Sequence, residues 1–385
     1  MIPYGKQYLD QNDIDSVIEV LRSDFLTQGP SVPAFEKEIS NYCCSEHSLA
    51  FNSATSALHS ACLALGLKYG DYLWTSPNTF VASANCAIYC GAKVDFVDID
   101  LDTYNISVTK LEEKLIEAKK ANTLPKIIIP VHFAGQSCDM KRIYELSKLY
   151  GFSIIEDASH AIGSKYLNKP VGNCSYSDIT VFSFHPVKII TTGEGGVATT
   201  NSPKLYEKMK MIRTHGITRD PKLLSRRSNE PWYYEQQTIG FNYRMTDFQA
   251  ALGSSQLLKL DKFVKERHKK KKIYDDALSS LPIFLPFQSQ DCYSSLHLYP
   301  IRLNSNETKK SRKDVFLYLK SKEIGVNVHY IPLHTQPFFR KFGFKRNDFQ
   351  NSVDYYESAI SLPLYPKLPS ISQKRVINAL KDILR

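Results

Sequence analysis

The chain has 385 residues, with 49 Lys and Arg against 39 Asp and Glu, eight cysteines and 43% hydrophobic residues. A chain of this size buries about three quarters of its surface on folding, so neither disulfides nor a structural metal is needed to hold its core. The charged fraction of 23% and the aromatic fraction of 12% exclude a disordered chain, and ordinary glycine and proline contents exclude a fibrous one.

The net charge of +10 is compatible with a polyanionic partner such as nucleic acid, or with a small phosphorylated ligand. A lysine-rich composition spread over solvated surfaces explains the same charge without any partner. The run Lys269-Lys270-Lys271-Lys272 lies in an amphipathic stretch, where a solvated helix face is more typical than a phosphate site. We therefore expect no nucleic acid as a partner, while a small phosphorylated ligand stays open.

The cysteine pattern predicts a reducing compartment. No C-x-x-C pair occurs, and Cys86 and Cys90 lie in an Ala-rich apolar stretch, which is typical of neither a zinc site nor a disulfide framework. Met1 leads into polar sequence and no run of about 18 apolar residues occurs, so neither a signal peptide nor a membrane-spanning helix is expected. The predicted location is the cytoplasm, with no metal and no membrane partner.

Short apolar runs alternate with longer amphipathic stretches from about residue 48 to residue 200. Predicted strands lie at 49–51, 72–74, 94–97, 127–129, 153–155 and 180–182. Predicted helices lie between them at 55–66, 79–90, 108–120 and 139–150. This alternation is typical of βαβ units and predicts an α/β fold whose mainly parallel central sheet is flanked by helices. Ligands of such sheets bind at the carboxyl ends of the strands.

The sequence pattern changes after residue 245. Residues 217–238 show no clear period and predict a long loop, and an amphipathic stretch follows from Thr246 to about Leu281. Further predicted strands lie at 298–301 and 326–329, and predicted helices at 312–322 and 371–384. We therefore predict a large domain over residues 1–250 and a smaller C-terminal α+β domain over 251–385.

Two of the predicted strand ends offer groups for binding an anion and a planar ring. Asn52-Ser53-Ala54-Thr55 begins a helix, whose free backbone N–H groups favour an anion, although Ser or Thr at this place is usually only an N-cap. Pro77-Asn78-Thr79-Phe80 follows the strand at 72–74. The ring of Phe80 could stack on a planar ligand, but such an aromatic is more often part of the core.

Two further strand ends offer a carboxylate and an amine. Glu156 and Asp157 end the strand at 153–155, where a carboxylate either holds a cation or a protonated ring nitrogen or caps the next helix. Lys188 follows the strand at 180–182 in a segment rich in Gly, Thr and Pro. A desolvated lysine is a competent amine for Schiff-base chemistry, although most lysines after strands are solvated.

The four strand ends together match the needs of pyridoxal 5′-phosphate (PLP). This cofactor requires a phosphate cradle, an aromatic face, a carboxylate at the pyridine nitrogen and a Schiff-base lysine. The four groups occur in order at ends of strands that can share one pocket. The four groups together therefore predict a PLP enzyme, although none of them does so alone.

The sequence resembles the DegT-type nucleotide-sugar aminotransferases, a branch of the fold-type-I PLP enzymes, over nearly its whole length. Four segments carry the resemblance: N-S-A-T-S-A-L at 52–58, E-D-A-S-H-A-I-G at 156–163, S-F-H-P-V-K-I-I-T-T-G-E-G-G at 183–196, and G-F-N-Y-R-M-T-D-F-Q-A-A-L-G at 240–253. The resemblance implies transamination at C4 of a UDP-linked 4-keto-6-deoxy-N-acetylhexosamine, with glutamate as amino donor. It also implies a homodimer whose active sites are shared between two subunits.

The resemblance further implies roles for individual residues. Lys188 would form the Schiff base and transfer protons, and Asp157 would pair with the pyridine nitrogen. The other cofactor residues would be Ala54, Thr55 and Ser183 at the phosphate, Phe80 on the ring, His160 beside its substituents, and Asn242 at the cofactor phosphate of the partner subunit. The substrate-binding residues would be Tyr4, Asp24, Phe25, Leu26, Thr27, His185, Asn327, Val328, His329 and Tyr330. His185 departs from the family at large, and it could equally only pack beside Pro186.

Three alternatives to this function are open. Relatives that lack the lysine carry out dehydration, and the presence of Lys188 argues against that reaction. Another UDP- or dTDP-linked keto sugar could be the substrate. A non-catalytic regulator of the same fold would bind DNA in a salt-dependent way, but the sequence shows no helix-turn-helix and no aromatic–basic strand pattern for it.

Overall fold

The structure is a computed structural model of the chain and describes residues 1–226, 228 and 230–385. The helices of the described residues are α1 (Gln11–Leu21), α2 (Ser31–Cys43), α3 (Ala54–Ala64), α4 (Ala82–Tyr89), α5 (Val108–Ala121), α6 (Met140–Tyr150), α7 (Pro203–Arg213), α8 (Asp247–Leu257), α9 (Leu260–Leu278), α10 (Arg312–Ser321), α11 (Pro337–Arg340), α12 (Gln350–Ser358) and α13 (Ser370–Leu384). The strands are β1 (His47–Phe51), β2 (Tyr72–Thr75), β3 (Lys93–Phe96), β4 (Ile127–Ile129), β5 (Ser153–Asp157), β6 (Lys165–Tyr166), β7 (Lys169–Pro170), β8 (Ile179–Ser183), β9 (Gly196–Thr200), β10 (Ile217–Thr218), β11 (Glu235–Gln236), β12 (Ile283–Phe284), β13 (Cys292–Tyr293), β14 (Tyr299–Leu303) and β15 (Ala359–Leu362).

A seven-stranded sheet forms the centre of the molecule, in the order β1-β9-β8-β5-β4-β2-β3. All neighbouring pairs are parallel except those of β9, which is antiparallel to both β1 and β8. The predicted, mainly parallel sheet and its six predicted strands are thus confirmed. The sequence pattern does not identify β9, because all five of its residues are buried and no alternation of polar and apolar residues marks it.

Helices cover both faces of this sheet. In β4, Ile127 and Ile129 pack into the core that includes α3 and α4, whereas Ile128 packs into the core that includes α5 and α6. Side chains alternate along a strand, so a strand covered on both faces is apolar at every position. This explains the unbroken run of three isoleucines.

Local capping fixes where the predicted helices begin and end. Ser107 accepts a hydrogen bond from the N–H of Lys110 at the start of α5 (3.3 Å). Asp139 accepts one from the N–H of Arg142 at the start of α6 (3.3 Å). α6 ends at Gly151, whose φ of 80° lies in the left-handed region that glycine adopts without strain.

A second hydrophobic core lies in the C-terminal part of the chain. It packs the three-stranded sheet β12-β14-β15 against α9, α10 and α13, and Ile2 joins it from the N-terminus. α9 contributes to two cores, with Phe263 packed among residues of the central sheet and Tyr274 in the C-terminal core. The predicted domain boundary at residue 250 falls inside α8, and the division into two domains stays a prediction.

The later part of the chain differs in three places from the sequence-based expectations. The stretch from Thr246 to Leu281 forms two helices, α8 and α9, which are separated at Leu258 and Lys259. The predicted strand at 326–329 is wrong, because only Asn327 makes a single bridge there. The predicted loop at 217–238 begins and ends with the short antiparallel pair β10–β11, and its residues 227 and 229 lie outside the described residues.

The lysine run lies in α9. Lys269, Lys271 and Lys272 pair with acidic side chains one helical turn away, and Lys270 donates to the carbonyl of Leu368. These contacts support the helix-face interpretation over a phosphate site. All eight cysteines are free; five are buried, as predicted for core residues, whereas Cys44 is exposed and Cys90 and Cys292 are half-buried. Within the described residues, no helix combines the length and apolar character needed to cross a bilayer.

Candidate active site

The carboxyl ends of the central strands border a cavity of about 580 Å³. Its walls come from the ends of β1, β2, β5 and β8 and from the C-terminal part of the chain. The predicted site residues that line it are Tyr4, Ala54, Thr55, Phe80, Asp157, His160, Ser183, His185, Lys188, Asn327, Val328, His329 and Tyr330. The tertiary structure therefore brings most of the predicted residues into one place.

The start of α3 presents hydrogen-bond donors to this cavity. Ser53 is the N-cap, and its Oγ accepts the N–H of Ser56 (3.1 Å). Among the described residues, the N–H groups of Ala54 and Thr55 have no protein acceptor, as expected before the first intrahelical hydrogen bond. The N-cap and anion-site interpretations are thus compatible, because the cap leaves these two donors free.

Gly196, at the start of β9, allows the sheet to approach the start of α3. A Cβ atom at this position would lie 2.6 Å from the Cα of Ala54, closer than real Cβ contacts come. The neighbouring atoms belong to the backbone, so they cannot rotate away. The glycine therefore sets the position of the Ala54 and Thr55 donors relative to β8 and β9.

The two adjacent acids of β5 point to opposite faces of the sheet, since side chains alternate along a strand. Asp157 lines the cavity and accepts hydrogen bonds from the hydroxyl of Ser83 (2.6 Å) and the N–H of Ser159 (3.1 Å). Glu156 lies on the other face, 2.6 Å from Nε2 of His132. Burial acts to raise the pKa of Glu156, but hydrogen bonds, above all with His132, hold it below its ordinary value. Asp157 is thus the acid that a ligand can reach.

Lys188 lies in the turn after β8, where its backbone N–H donates to the carbonyl of His185 (2.9 Å). Burial lowers the pKa of its amine to about 8, against the opposing attraction of Asp157. At pH 7, about a tenth of such an amine is unprotonated, compared with less than about a thousandth for a solvated lysine. The expected desolvated lysine is therefore present at the cavity.

Uncharged rings form the wall beside Lys188. The hydroxyl of Tyr330 lies 3.1 Å from Nε2 of His160, and the hydroxyl of Ser361 lies 2.9 Å from Nδ1 of His329. Burial, reinforced by the nearby Lys188, lowers the pKa of His160 well below its ordinary value and that of His329 to about 4. Burial also raises the pKa of Tyr330. All three rings are therefore neutral near pH 7.

The side chains of Phe80 and His185 are both exposed at the cavity. The side chain of Phe80 is 58% exposed and lines the cavity, so it is not a core aromatic. His185 is exposed at the cavity, where its Nε2 lies 4.0 Å from Oε1 of Glu194. Both side chains are therefore accessible to a ligand.

Five predicted residues do not line this cavity in the part of the chain that the structure describes: Asp24, Phe25, Leu26, Thr27 and Asn242. All five are exposed. The segment 24–27 is held by α8, where the N–H of Asp247 donates to the carbonyl of Leu26 (2.9 Å). The carbonyl of Asn242 accepts a hydrogen bond from Asn52, one residue before the N-cap of α3 (3.3 Å). Their predicted roles stay predictions.

Several residues that line the cavity were not identified as site residues from the sequence: Ser53, Leu58, Thr79, Ala82, Val131, Ser159, Val187, Glu194 and His297. Most of them lie within or next to the four strand-end segments, so proximity in sequence could have suggested them. His297 has no such signal. It lies between β13 and β14 and reaches the cavity only through the tertiary fold.

Comparisons with known proteins agree on one family. The model of the DegT/DnrJ/EryC1/StrS aminotransferase family matches residues 7–381. The UDP-4-amino-4,6-dideoxy-N-acetyl-beta-L-altrosamine transaminase of Campylobacter jejuni is 39% identical, over 100% of this chain and 98% of that protein. The spore coat polysaccharide biosynthesis protein SpsC of Bacillus subtilis is 38% identical over 100% and 97%. The UDP-4-amino-4-deoxy-L-arabinose–oxoglutarate aminotransferase of Shewanella sediminis is 31% identical over 100% and 98%.

Solved structures show the same fold. Helicobacter pylori PseC, an aminotransferase of pseudaminic acid biosynthesis, superposes with a TM-score of 0.89 at 32% identity, over 100% of this chain and 99% of that one. Spr1654 of Streptococcus pneumoniae in its PLP form has a TM-score of 0.88 at 28% identity, over 99% and 98%. The fold-type-I PLP fold predicted from the resemblance is thereby confirmed.

The residues at the cavity fit PLP. The free N–H groups of Ala54 and Thr55 suit a phosphate, and the exposed face of Phe80 suits an aromatic ring. Asp157 supplies a carboxylate that two serines orient, and Lys188 supplies an amine whose pKa is lowered. All four groups line a single cavity, as the cofactor requires.

Proposed function

The chain belongs to the DegT/DnrJ/EryC1/StrS aminotransferase family and is a PLP-dependent nucleotide-sugar aminotransferase, and we propose that it acts in pseudaminic acid synthesis. Its substrate would be a UDP-linked 4-keto-6-deoxy-N-acetylhexosamine, which it aminates at C4 with glutamate as donor. The product would be UDP-4-amino-4,6-dideoxy-N-acetyl-β-L-altrosamine.

The observation that carries the proposal is that Lys188 and Asp157 line one cavity, beside a wall of neutral rings from His160, His329 and Tyr330. An aminotransferase needs the first two groups for the cofactor. An uncharged polar wall suits the hydroxyl and acetamido groups of a sugar, since neutral hydrogen-bonding groups match one another without leaving a charge buried. The choice of sugar is supported by the similarity to the Campylobacter transaminase and to PseC.

Bound PLP would supply an electron sink for the negative charge that develops at the substrate carbon when a proton leaves. Lys188 accepts and returns that proton at Nζ, because its lowered pKa makes the neutral amine available near pH 7. Asp157 holds the proton of the pyridine nitrogen, while Ser83 and Ser159 fix the orientation of its carboxylate. Ala54 and Thr55 bind the phosphate through their N–H groups, and Tyr330 and His329 orient the sugar.

The enzyme would work as a homodimer that shares its active sites. Asn242 and the segment 24–27 are exposed, and Asn242 contacts Asn52 beside the start of α3, which borders the cavity. In the proposed dimer, Asn242 contacts the cofactor phosphate of the partner subunit, and the segment 24–27 contacts the nucleotide sugar. Molecular mass in solution and the activity of Asn242→Ala mixed with an inactive Lys188→Ala chain test this arrangement, since mixed dimers would contain one intact site.

The substrate is tested with a panel of keto-sugar nucleotides. The enzyme is incubated with PLP, glutamate and UDP-4-keto sugars of both C5 configurations, and with dTDP-linked 3-keto and 4-keto sugars, and the products are identified by NMR. We expect amination of the UDP-4-keto-6-deoxy-N-acetyl sugar at C4. A preference for a dTDP-linked 3-keto sugar would contradict the proposal while leaving the aminotransferase reaction intact.

Another UDP-linked 4-keto sugar is the second candidate. It is favoured by the similarity to the Shewanella enzyme, which is named for an aminated UDP-arabinose. The non-catalytic alternative is not supported, because Lys188 and Asp157 meet at one cavity and the named relatives are aminotransferases.

A further inference from the structure

The loop that carries His297 is buried and held by hydrogen bonds to its backbone. Residues 294–298 are all at least 95% buried. Ala134 binds the loop with its carbonyl, which accepts the N–H of His297 (2.8 Å), and Arg267 donates to the carbonyls of Leu296 (3.1 Å) and His297 (3.2 Å). A loop held by this many backbone hydrogen bonds presents its side chain at a defined place.

His297 reaches the cavity beside His160. It lines the cavity with only 5% of its surface exposed, and the centroids of the two imidazole rings lie 4.4 Å apart. The same residue positions both, since Ala134 also donates its N–H to Nδ1 of His160 (3.3 Å). Both histidines are therefore placed at the cavity by one turn of the chain.

The hydrogen bonds of the three histidines at this wall differ. Both nitrogens of His160 have partners, Ala134 and Tyr330, and both nitrogens of His329 lie within reach of side chains. Nδ1 of His297 is buried without a partner among the described residues. A buried polar atom without a partner is destabilising, and it therefore limits which tautomer of the ring the site can hold.

The charge state of His297 limits what it can bind. Burial, reinforced by the neighbouring His160, Lys188 and Arg267, lowers its pKa well below the ordinary value, so the ring is neutral near pH 7. A neutral imidazole carries one proton. A proton on the sealed Nδ1 would be a buried donor without an acceptor, whereas Nε2 can donate to a molecule in the cavity, so the proton belongs on Nε2.

We propose that His297 donates a hydrogen bond from Nε2 to an acceptor oxygen of the molecule bound in the cavity, and that it is a binding residue of this enzyme. The oxygen is either the phenolic oxygen of PLP or a hydroxyl or carbonyl oxygen of the sugar. The inference rests on the proposed use of the cavity for both molecules.

The test compares His297→Phe with His297→Gln and with a control. Phenylalanine keeps the shape of the ring but removes the donor, whereas glutamine restores an N–H. His268→Phe is the control, because His268 contacts the same loop through the carbonyl of Ser294 (2.7 Å) and stacks on Tyr293, yet it does not line the cavity. If His297→Phe does not fold, His297→Leu takes its place, with thermal unfolding as the check.

Two measurements separate the possible oxygens. If PLP is the acceptor, the pH midpoint of its visible absorbance in His297→Phe rises by about one unit, since the lost donor stabilised the phenolate. If the sugar is the acceptor, the absorbance titration is unchanged and KM for the keto sugar rises about tenfold, while KM for glutamate is unchanged. In both cases His297→Gln recovers most of the effect and His268→Phe shows none.

The proposal is overturned if neither quantity changes, if His268→Phe changes them equally, or if His297→Gln behaves like His297→Phe. The absorbance measurement needs only PLP, and KM is measured with whichever keto sugar the wild type aminates. A wrong assignment of the sugar would therefore leave this test intact.

Discussion

The cavity has two walls of different origin. The sheet wall, formed by Ala54, Thr55, Asp157, Ser183 and Lys188, comes from strand ends in the first half of the chain. The C-terminal wall, formed by His297, Asn327, Val328, His329 and Tyr330, comes from residues more than a hundred positions further on. The sheet wall carries a carboxylate and an amine, whereas burial keeps the rings of the C-terminal wall neutral.

The two walls therefore serve different purposes: the sheet wall carries the groups for the reaction, and the C-terminal wall carries groups that recognise the ligand. The positions of Asp157 and Lys188 follow from strands that pair in the central sheet, so the cofactor groups are fixed by the fold itself. The C-terminal wall is attached by loop contacts, such as the bridge between Asn327 and Ser361. A substitution there can change which ligand is recognised without moving Lys188.

Replacing Lys188 should remove the reaction and keep the fold. We expect Lys188→Ala to lower kcat by at least about 1,000-fold, because the chain loses both its Schiff-base amine and its proton carrier. The loss is measured as the rate of 2-oxoglutarate formation from glutamate, with circular dichroism as the control for folding. Turnover near that of the wild type would remove Lys188 from the role assigned to it.

The two acids of β5 should respond in opposite ways. Asp157→Asn should lower kcat on the order of 100-fold with little change in unfolding, since it removes a charge directed at the cofactor. Glu156→Gln should lower the free energy of unfolding by about 1–3 kcal/mol, because an amide has one acceptor oxygen in place of the two that bond His132 on one side and Ser177 and Thr180 on the other. Kinetics and urea unfolding of both variants check the contrast. Equal effects on kcat would show that the acids are not separated by the sheet.

The lowered pKa of Lys188 predicts how fast the enzyme without cofactor takes up PLP. Because only the neutral amine reacts, the rate should rise about tenfold between pH 6 and pH 7 and level off above about pH 8. Stopped-flow absorbance records this rate. A rise that continues to pH 10 would mean that the amine is solvated and not buried.

The C-terminal wall should make the protein sensitive to acid. The pKa of His329 is about 4 in the fold and 6.5 in the unfolded chain, so the unfolded state binds more protons between these values. The free energy of unfolding therefore falls as the pH falls through that window. Between pH 7 and pH 5, His329 contributes a loss of about 1–2 kcal/mol, which His329→Gln should lack. Denaturant unfolding at both pH values gives this difference, and an equal loss in the two proteins would contradict it.

The sheet and its ligand-binding edge are predictable from the sequence because both depend on local patterns. The run Ile127-Ile128-Ile129 marks a strand covered on both faces, and polar residues directly after such strands mark the edge where ligands bind. β9 escapes this reasoning because its five residues show no alternation. The predicted strand at 326–329 fails for the opposite reason, since Val326 and Val328 alternate with polar residues, but so short an alternation also fits a loop packed against a neighbour.

The cofactor and the reaction class could be predicted from the amino-acid sequence, because PLP requires particular groups at strand ends and each lies within a short, recognisable segment. Only the tertiary structure distinguished Asp157 from Glu156, because strand alternation directs one to the cavity and the other to His132. The tertiary structure also places His297 at the cavity, and burial there keeps the histidines neutral near pH 7. Burial and long-range contacts decide these properties, and no short stretch of sequence contains them.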